Sequence, residues 1–273
     1  MLTRIAPTPS GYLHTGNAFS FLLTEQLAKF HNGKILLRID DSDAERKRPE
    51  YVQDIFDSLH WLGIEWQNGP KDAGDFETNW SQRHRLPLYE REITKLIAEE
   101  KVYACSCSRK QLQENGRCFC ETKQLPLDTP DTSLRMKIPQ GTTILFSDNN
   151  GPHRINLLQE TGNFIVRRRD GLPAYHLVSV TDDLHFGVTD IVRGADLFSS
   201  TAAQLFLAQQ LGEASFSKIS FIHHPLLTDE ENHKLSKSEG ALSLKAQRES
   251  GVTAATIRRQ FQEWMSTNRI ALG

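Results

Sequence analysis

The chain has little that would tie it to a membrane, to an oxidising compartment or to a nucleic-acid coat. Its 273 residues contain no apolar run approaching a membrane span. It does not open with a charged leader and a long apolar core, so the reading is no signal peptide, no membrane partner and a cytoplasmic location. A dominant charge is missing too. The 32 Lys and Arg face 34 Asp and Glu, a formal net charge of −2, which argues against binding RNA by bulk charge but leaves room for a local basic stripe. Candidate stripes are Arg46-Lys47-Arg48, Arg167-Arg168-Arg169 and Arg258-Arg259, each equally readable as a solvated face. A Gly-x-x-x-x-Gly-Lys-Ser/Thr pattern is absent, which counts against a P-loop enzyme. There is no internal repeat and no low-complexity segment. Cysteine is scarce, with four residues confined to one window.

What is present fits a soluble globular enzyme, with 38% hydrophobic and 24% charged residues. Leu2 to Ala6 reads as a buried strand ending in the turn Pro7-Thr8-Pro9-Ser10-Gly11. Phe19, Leu22, Leu23, Leu27 and Phe30 then share one helical face, and Asn32-Gly33 supplies the stop. Lys34 to Ile39 reads as a second strand running into Asp40-Asp41-Ser42-Asp43. Pro49 opens a helix with Val52, Ile55, Phe56, Leu59 and Leu62 inward and Gly63 at its end. This β-α-β-α order predicts an α/β fold, a Rossmann-like parallel sheet with crossover helices. Helical pattern recurs at Leu86 to Glu100, Ser200 to Leu211 and Ala254 to Met265, and strand pattern at Ser220 to His223. The expected organisation is a first half of the catalytic domain at 1–102, an insertion at 103–163, a second half at 164–240 and a short helical tail at 241–273.

Two short motifs carry the chemistry. In a parallel sheet, ligands bind beyond the carboxyl ends of the strands, so Gly11-Tyr12-Leu13-His14-Thr15-Gly16-Asn17 lies at that edge. The following helix points its free N–H groups and positive dipole end into the same crevice. Gly16 allows close approach, and His14 can donate to phosphate oxygens as charge grows. Lys234-Leu235-Ser236-Lys237-Ser238 offers two ammonium groups that can close over a triphosphate. With pyrophosphate as the leaving group, the chemistry is adenylation by a carboxylate nucleophile. No Ser/His/Asp triad is needed, and His14, Lys234 and Lys237 serve as electrostatic stabilisers. The Cys105-Ser106-Cys107 and Cys118-Phe119-Cys120 pairs suit a tetrahedral Cys₄ site for a structural zinc ion, with reduced metal-free thiols as the alternative.

These motifs carry a resemblance. Arg4 to Asn17 resembles the first signature of class I glutamyl-tRNA synthetases, Leu37 to Asp43 their second-strand acidic motif, and Lys234 to Ser238 their KMSKS loop. Arg169 to Leu177, Thr181-Asp182-Asp183 and Ile191 to Asp196 resemble the second half of their site. The short stretch after the lysine motif, Gly194-Ala195-Asp196 and the Cys-x-Cys insertion resemble the truncated branch, the glutamyl-queuosine tRNA(Asp) synthetases. That branch lacks the helical anticodon-binding domain of the full enzymes.

The resemblance implies that ATP, with Mg²⁺, activates L-glutamate without tRNA present. Glutamate then passes to queuosine at the wobble position of tRNA(Asp). It also implies a zinc ion and, in our reading, a monomer. By motif position, Arg4 and Arg193 handle the glutamate carboxylates, for which a guanidinium fork is suited. Ile5, Ala6, Pro7 and Thr8 line the same turn, Asp40 binds the ammonium where the family has Glu, and Tyr175 offers a hydroxyl. ATP falls to Gly11, His14, Gly16, Asn17, Lys234, Ser236 and Lys237. Asn17 replaces the second histidine of the motif, and Ser179 stands where full synthetases have Asn. Structural alternatives are an Arg4–Asp41 pair and a core Tyr175. Competing functions are charging of a tRNA 3′ end, a non-catalytic RNA-binding paralogue, and amino-acid activation for a non-RNA acceptor.

Overall fold

The computed structural model describes residues 1–116, 118–227 and 243–270. The chain forms two compact units, one of residues 1–84, 188–196 and 220–273, the other of 85–187 and 197–219. Among the described residues no helix is long and apolar enough to cross a membrane.

The first unit is built on four parallel strands in the order Lys34–Leu37, Leu2–Ile5, Asp190–Gly194, Ser220–His224. Apolar side chains on one sheet face, among them Ile5, Ile35, Leu37 and Val192, meet the helices Thr15–Phe30 and Pro49–Leu62. The expected boundaries hold closely, because local chemistry sets them. Pro49 sits in the first turn of its helix, and Gly63 closes it in the left-handed region at φ 70°. At the stop of the first helix the left-handed residue is Asn32, at φ 49°.

The stretch beyond the lysine motif departs from the single helix expected there. It holds two helices, Leu244–Glu249 and Ala254–Thr267. The six-residue helix is too short to show a 3.6-residue period, and Ser243 caps it by accepting the Ala246 N–H at 3.1 Å. Neither helix is a loose appendage. Ile257, Phe261 and Trp264 are buried in the same core as Leu22 and Ile55, with the Phe261 and Trp264 rings 5.7 and 5.4 Å from Phe19.

The second unit contains the whole 103–163 stretch together with the helices Leu86–Ala98, Tyr175–His185 and Phe198–Gln210. Strands Val102–Cys105, Ser133–Met136 and Ile165–Arg167 form an antiparallel sheet in that order, and Thr143–Asp148 pairs with Gly151–Asn156 in a hairpin. Buried in this unit is an ionic cluster. Asp182 accepts from Arg85 Nε at 2.7 Å, from Arg85 Nη2 at 2.8 Å and from the Tyr89 hydroxyl at 2.7 Å.

Candidate active site and cysteine cluster

Strand order decides where the site lies in the first unit. The chain leaves Leu2–Ile5 for the strand on one side and supplies its later strands on the other, so the connections diverge at the carboxyl ends of Leu2–Ile5 and Asp190–Gly194. Such a switch point is where open α/β sheets bind ligands. Alternation places Arg4 and Arg193 on the sheet face opposite Ile5 and Val192. Both are buried, at 7% and 3% exposure. Arg4 Nη1 donates to the Val192 carbonyl at 3.1 Å, and the Arg193 guanidinium lies 5.2 Å from the Phe221 ring. The expected alternative of an Arg4–Asp41 pair is not formed. Asp41 instead takes Lys47 at 3.0 Å, the Ser81 hydroxyl at 2.7 Å and the Gln82 N–H at 2.8 Å.

Asp40 reaches the same edge, its N–H donating to the Pro7 carbonyl at 2.9 Å. Its carboxylate is already engaged by Arg38, with Nε at 2.8 Å and Nη2 at 3.3 Å, and by Gln82 Nε2 at 3.1 Å. A substrate ammonium at Asp40 would share that carboxylate with Arg38 and Gln82.

The histidine turn is tightly specified. His14 is the extended residue before helix Thr15–Phe30, its carbonyl accepting the Ala18 N–H at 3.1 Å. Asn17 accepts the His14 N–H through Oδ1 at 3.0 Å, so that oxygen is spent on the turn. A Cβ on Gly16 would sit 3.0 Å from His14 Cε1, which gives the glycine a steric reason. A Cβ on Gly194, on the neighbouring strand, would meet Asp196 Oδ1 at 2.6 Å. Ile5 and Pro7 are buried, Ala6 and Gly11 half-buried and Thr8 exposed. Lys234, Ser236 and Lys237 lie outside the described residues. The flanks of their segment return to this turn: the Leu227 side chain lies 4.0 Å from the Gly16 Cβ position, and Ser243 bridges to His14.

Tyr175, the first residue of its helix in the second unit, is 43% exposed and therefore not core. Seven residues on, Asp182 faces inward and is taken up by Arg85 and Tyr89.

The second unit also gathers the cysteines. Strand Val102–Cys105 delivers the first, and Ser108 caps the helix Arg109–Asn115. Gly116, at φ 68°, then turns the chain back. The four sulfurs lie within 4.8 Å of one another. Cys105 and Cys118 are 3.3 Å apart, Cys107 and Cys120 3.4 Å, and Cys107 and Cys118 3.8 Å. Four thiolates about 2.3 Å from a tetrahedral ion would be about 3.8 Å apart, so this cluster can hold one with little adjustment. Burial, then the neighbouring sulfurs, push the Cys107 thiol up to about 12. Burial acts the same way on Cys120, but hydrogen bonds from the Ser106 backbone, Cys107, Ser106 and Cys118 outweigh it and bring that thiol to about 7. A bound cation would supply the positive charge that ionising these four thiols together requires.

Two features here were not legible beforehand. Arg169 Nη2 donates to the Ser106 and Cys107 carbonyls at 2.7 and 2.6 Å, bracing the Cys-x-Cys turn. The Tyr103 hydroxyl, beside the cluster, accepts from Asn163 Nδ2 at 3.0 Å. Several cations of the three basic stripes have partners within the fold. Arg167 donates to the Leu127 carbonyl at 2.9 Å and Arg168 pairs with Asp170 at 2.6 Å. In the other two stripes, Lys47 pairs with Asp41 and with Glu77 at 2.6 Å, and Arg258 with Glu25 at 2.9 Å.

Comparison with known proteins identifies the family. The family described as tRNA synthetases class I (E and Q), catalytic domain, matches residues 1–126 and 117–264. A glutamyl-Q tRNA(Asp) synthetase of Nitratidesulfovibrio vulgaris is 36% identical over 274 residues, spanning 93% of this chain and 83% of that protein. One from Pseudomonas putida is 37% identical over 265 residues, spanning 95% and 84%. A glutamate–tRNA ligase of Sulfurihydrogenibium is 33% identical over 272 residues, spanning 93% of this chain but 56% of the ligase. The chain thus spans a little over half the length of that relative. Among solved structures, a glutamate–tRNA synthetase from Elizabethkingia anophelis superposes with a TM-score of 0.74 at 25% identity, over 92% of this chain and 54% of that one. The chain belongs to the class I tRNA synthetases of the glutamyl and glutaminyl type, a family of ligases.

Proposed function

We propose that this protein activates L-glutamate with Mg–ATP to glutamyl-adenylate and transfers the glutamyl group to queuosine at the wobble position of tRNA(Asp). The observation that carries the activation step is the pair of buried guanidinium groups, Arg4 and Arg193, on one sheet face at the switch point beside the His14 turn. Two cations buried at a ligand-binding edge suit a dicarboxylic amino acid. One carboxylate is held as recognition element, and the other attacks the α-phosphate. The Ile5 backbone, with Ala6, Pro7 and Thr8, forms the adjoining wall, and Asp40, shared with Arg38, takes the ammonium. Gly11, His14, Gly16 and Asn17, with Lys234, Ser236 and Lys237 of the lysine motif, receive ATP and stabilise the charge that develops on its phosphates. Tyr175 is assigned to glutamate from its motif alone. Cys105, Cys107, Cys118 and Cys120 hold a zinc ion whose contribution is structural, since four thiolates leave no open position.

The acceptor assignment is supported by the relatives named glutamyl-Q tRNA(Asp) synthetase, which match this chain over 83% and 84% of their own length. Transfer of labelled glutamate to tRNA(Asp) with and without queuosine tests it. Label on the queuosine-bearing RNA alone is expected. Transfer to both RNAs, or to neither, would overturn the assignment.

A further inference from the structure

The acidic run that follows strand Lys34–Leu37 is held by a segment about forty residues further along the chain. Gln82, the first residue of the turn Gln82–Arg85, is buried. Its side-chain oxygen accepts the Ser42 N–H at 2.8 Å, and its Nε2 donates to Asp40 Oδ1 at 3.1 Å. Its own N–H donates to Asp41 Oδ1 at 2.8 Å, and the neighbouring Ser81 hydroxyl donates to Asp41 Oδ2 at 2.7 Å. The two ends of the Gln82 amide are not interchangeable. The Ser42 N–H must meet its oxygen, so its nitrogen is aimed at Asp40. The Asp40 side chain keeps 12% exposure while that of Arg38 keeps 3%, so a ligand meets the carboxylate before the guanidinium behind it.

We infer that Gln82 is a positioning residue for amino-acid recognition, fixing the Asp40 carboxylate in the orientation that receives the substrate ammonium. Gln82 touches no reacting atom. It acts through Asp40, with the Ser42 bond setting the direction of its amide and burial keeping competing water away. A neutral amide suits this task. It orients a carboxylate without placing a second full positive charge beside an incoming ammonium, as a lysine or a further arginine would. The inference deepens the proposed glutamate site and rests on the assignment of the ammonium to Asp40.

The test compares the binding of L-glutamate with that of glutarate, which has the same two carboxylates and no ammonium. Dissociation constants are measured by titration calorimetry for the wild type, Gln82→Glu, Gln82→Met and Asp40→Ala. Gln82→Glu keeps side-chain size and an acceptor for Ser42 but sets an oxygen against Asp40 Oδ1. Gln82→Met removes both side-chain bonds. The wild type should prefer glutamate by roughly ten- to a hundredfold, the span of one charged hydrogen bond. Each Gln82 variant should lose most of that preference, with glutarate bound as tightly as in the wild type. Equal weakening of both ligands would mark Gln82 as merely structural and overturn the inference, as would an unchanged preference. Asp40→Ala separates the two layers. If it loses the preference and the Gln82 variants keep it, the positioning role fails and the ammonium assignment stands. If Asp40→Ala keeps the preference, or the wild type shows none, the ammonium assignment fails and the inference with it. Should one Gln82 variant fail to fold, the other decides by the same readouts.

Discussion

Replacing Asp182 by Ala should destabilise the second unit severely, although its motif resembles part of a synthetase active site. The Asp182 side chain has no exposure and Arg85 has 8%, so solvent and salt screen the pair little. Both carboxylate oxygens are used, one by Arg85 Nε and the Tyr89 hydroxyl, the other by Arg85 Nη2. The substitution leaves a buried guanidinium without its counter-charge and a buried phenol without its acceptor. Losing one partner of a buried pair costs about 3–5 kcal/mol. For a protein of this size each kcal/mol moves the midpoint by roughly 2–4 °C, so the expected fall is roughly 6–20 °C. Thermal unfolding followed by circular dichroism reads this directly. Two compact units can unfold in separate transitions, so a compensating control is needed. In that control, Arg85→Met with Asp182→Leu and Tyr89→Phe removes all the polar groups together and should recover most of the midpoint. A fall under about 2 °C for Asp182→Ala would refute the structural role of Asp182. A fall that the apolar triple replacement did not repair would also count against it.

Other consequences are equally direct. Gly16→Ala places a Cβ 3.0 Å from His14 Cε1, so the imidazole must shift. Pyrophosphate exchange should fall about tenfold or more with an unchanged melting temperature, and full activity would show that the imidazole position is unimportant. Cys118→Ala should abolish stoichiometric zinc, measured by elemental analysis of freshly purified protein, and lower the midpoint; protein that retains zinc would contradict the four-sulfur site. His224 is buried, which lowers its pKa from the ordinary 6.5, against the opposing influence of the Pro225 carbonyl and Asp196. Its unfolded state therefore binds protons more readily. The stability it contributes is full above pH about 6.5 and is lost as pH falls through the folded value. Melting temperatures from about pH 8 to about pH 5 should drop on the acid side, and the drop should be shallower in His224→Leu; parallel curves would exclude the effect.

Local signals were legible in the sequence and distant partnerships were not. The apolar spacing of Phe19, Leu22, Leu23 and Leu27 marks a helix because its period belongs to one segment. Pro49 and Gly63 mark helix ends for the same reason. Four cysteines in one window announce their own meeting, since a short capped helix is all that must fold between them. By contrast, Ile257, Phe261 and Trp264 look like the face of an appended helix until Phe19 is seen against them. The run Arg167-Arg168-Arg169 looks like a phosphate-binding stripe. Only the fold reveals that its guanidinium groups brace the Leu127, Ser106 and Cys107 carbonyls and pair with Asp170. Asp40 was legible as a carboxylate at the sheet edge, but its engagement by Arg38 depends on how the chain turns after Leu37.

The most direct measurement is exchange of labelled pyrophosphate into ATP by the purified protein, with each amino acid in turn and no RNA present. Exchange driven by glutamate, and abolished by replacing Arg193 with Ala, is the result the switch-point site predicts. Exchange driven equally by another amino acid, dependence on added tRNA, or indifference to Arg193 would contradict it.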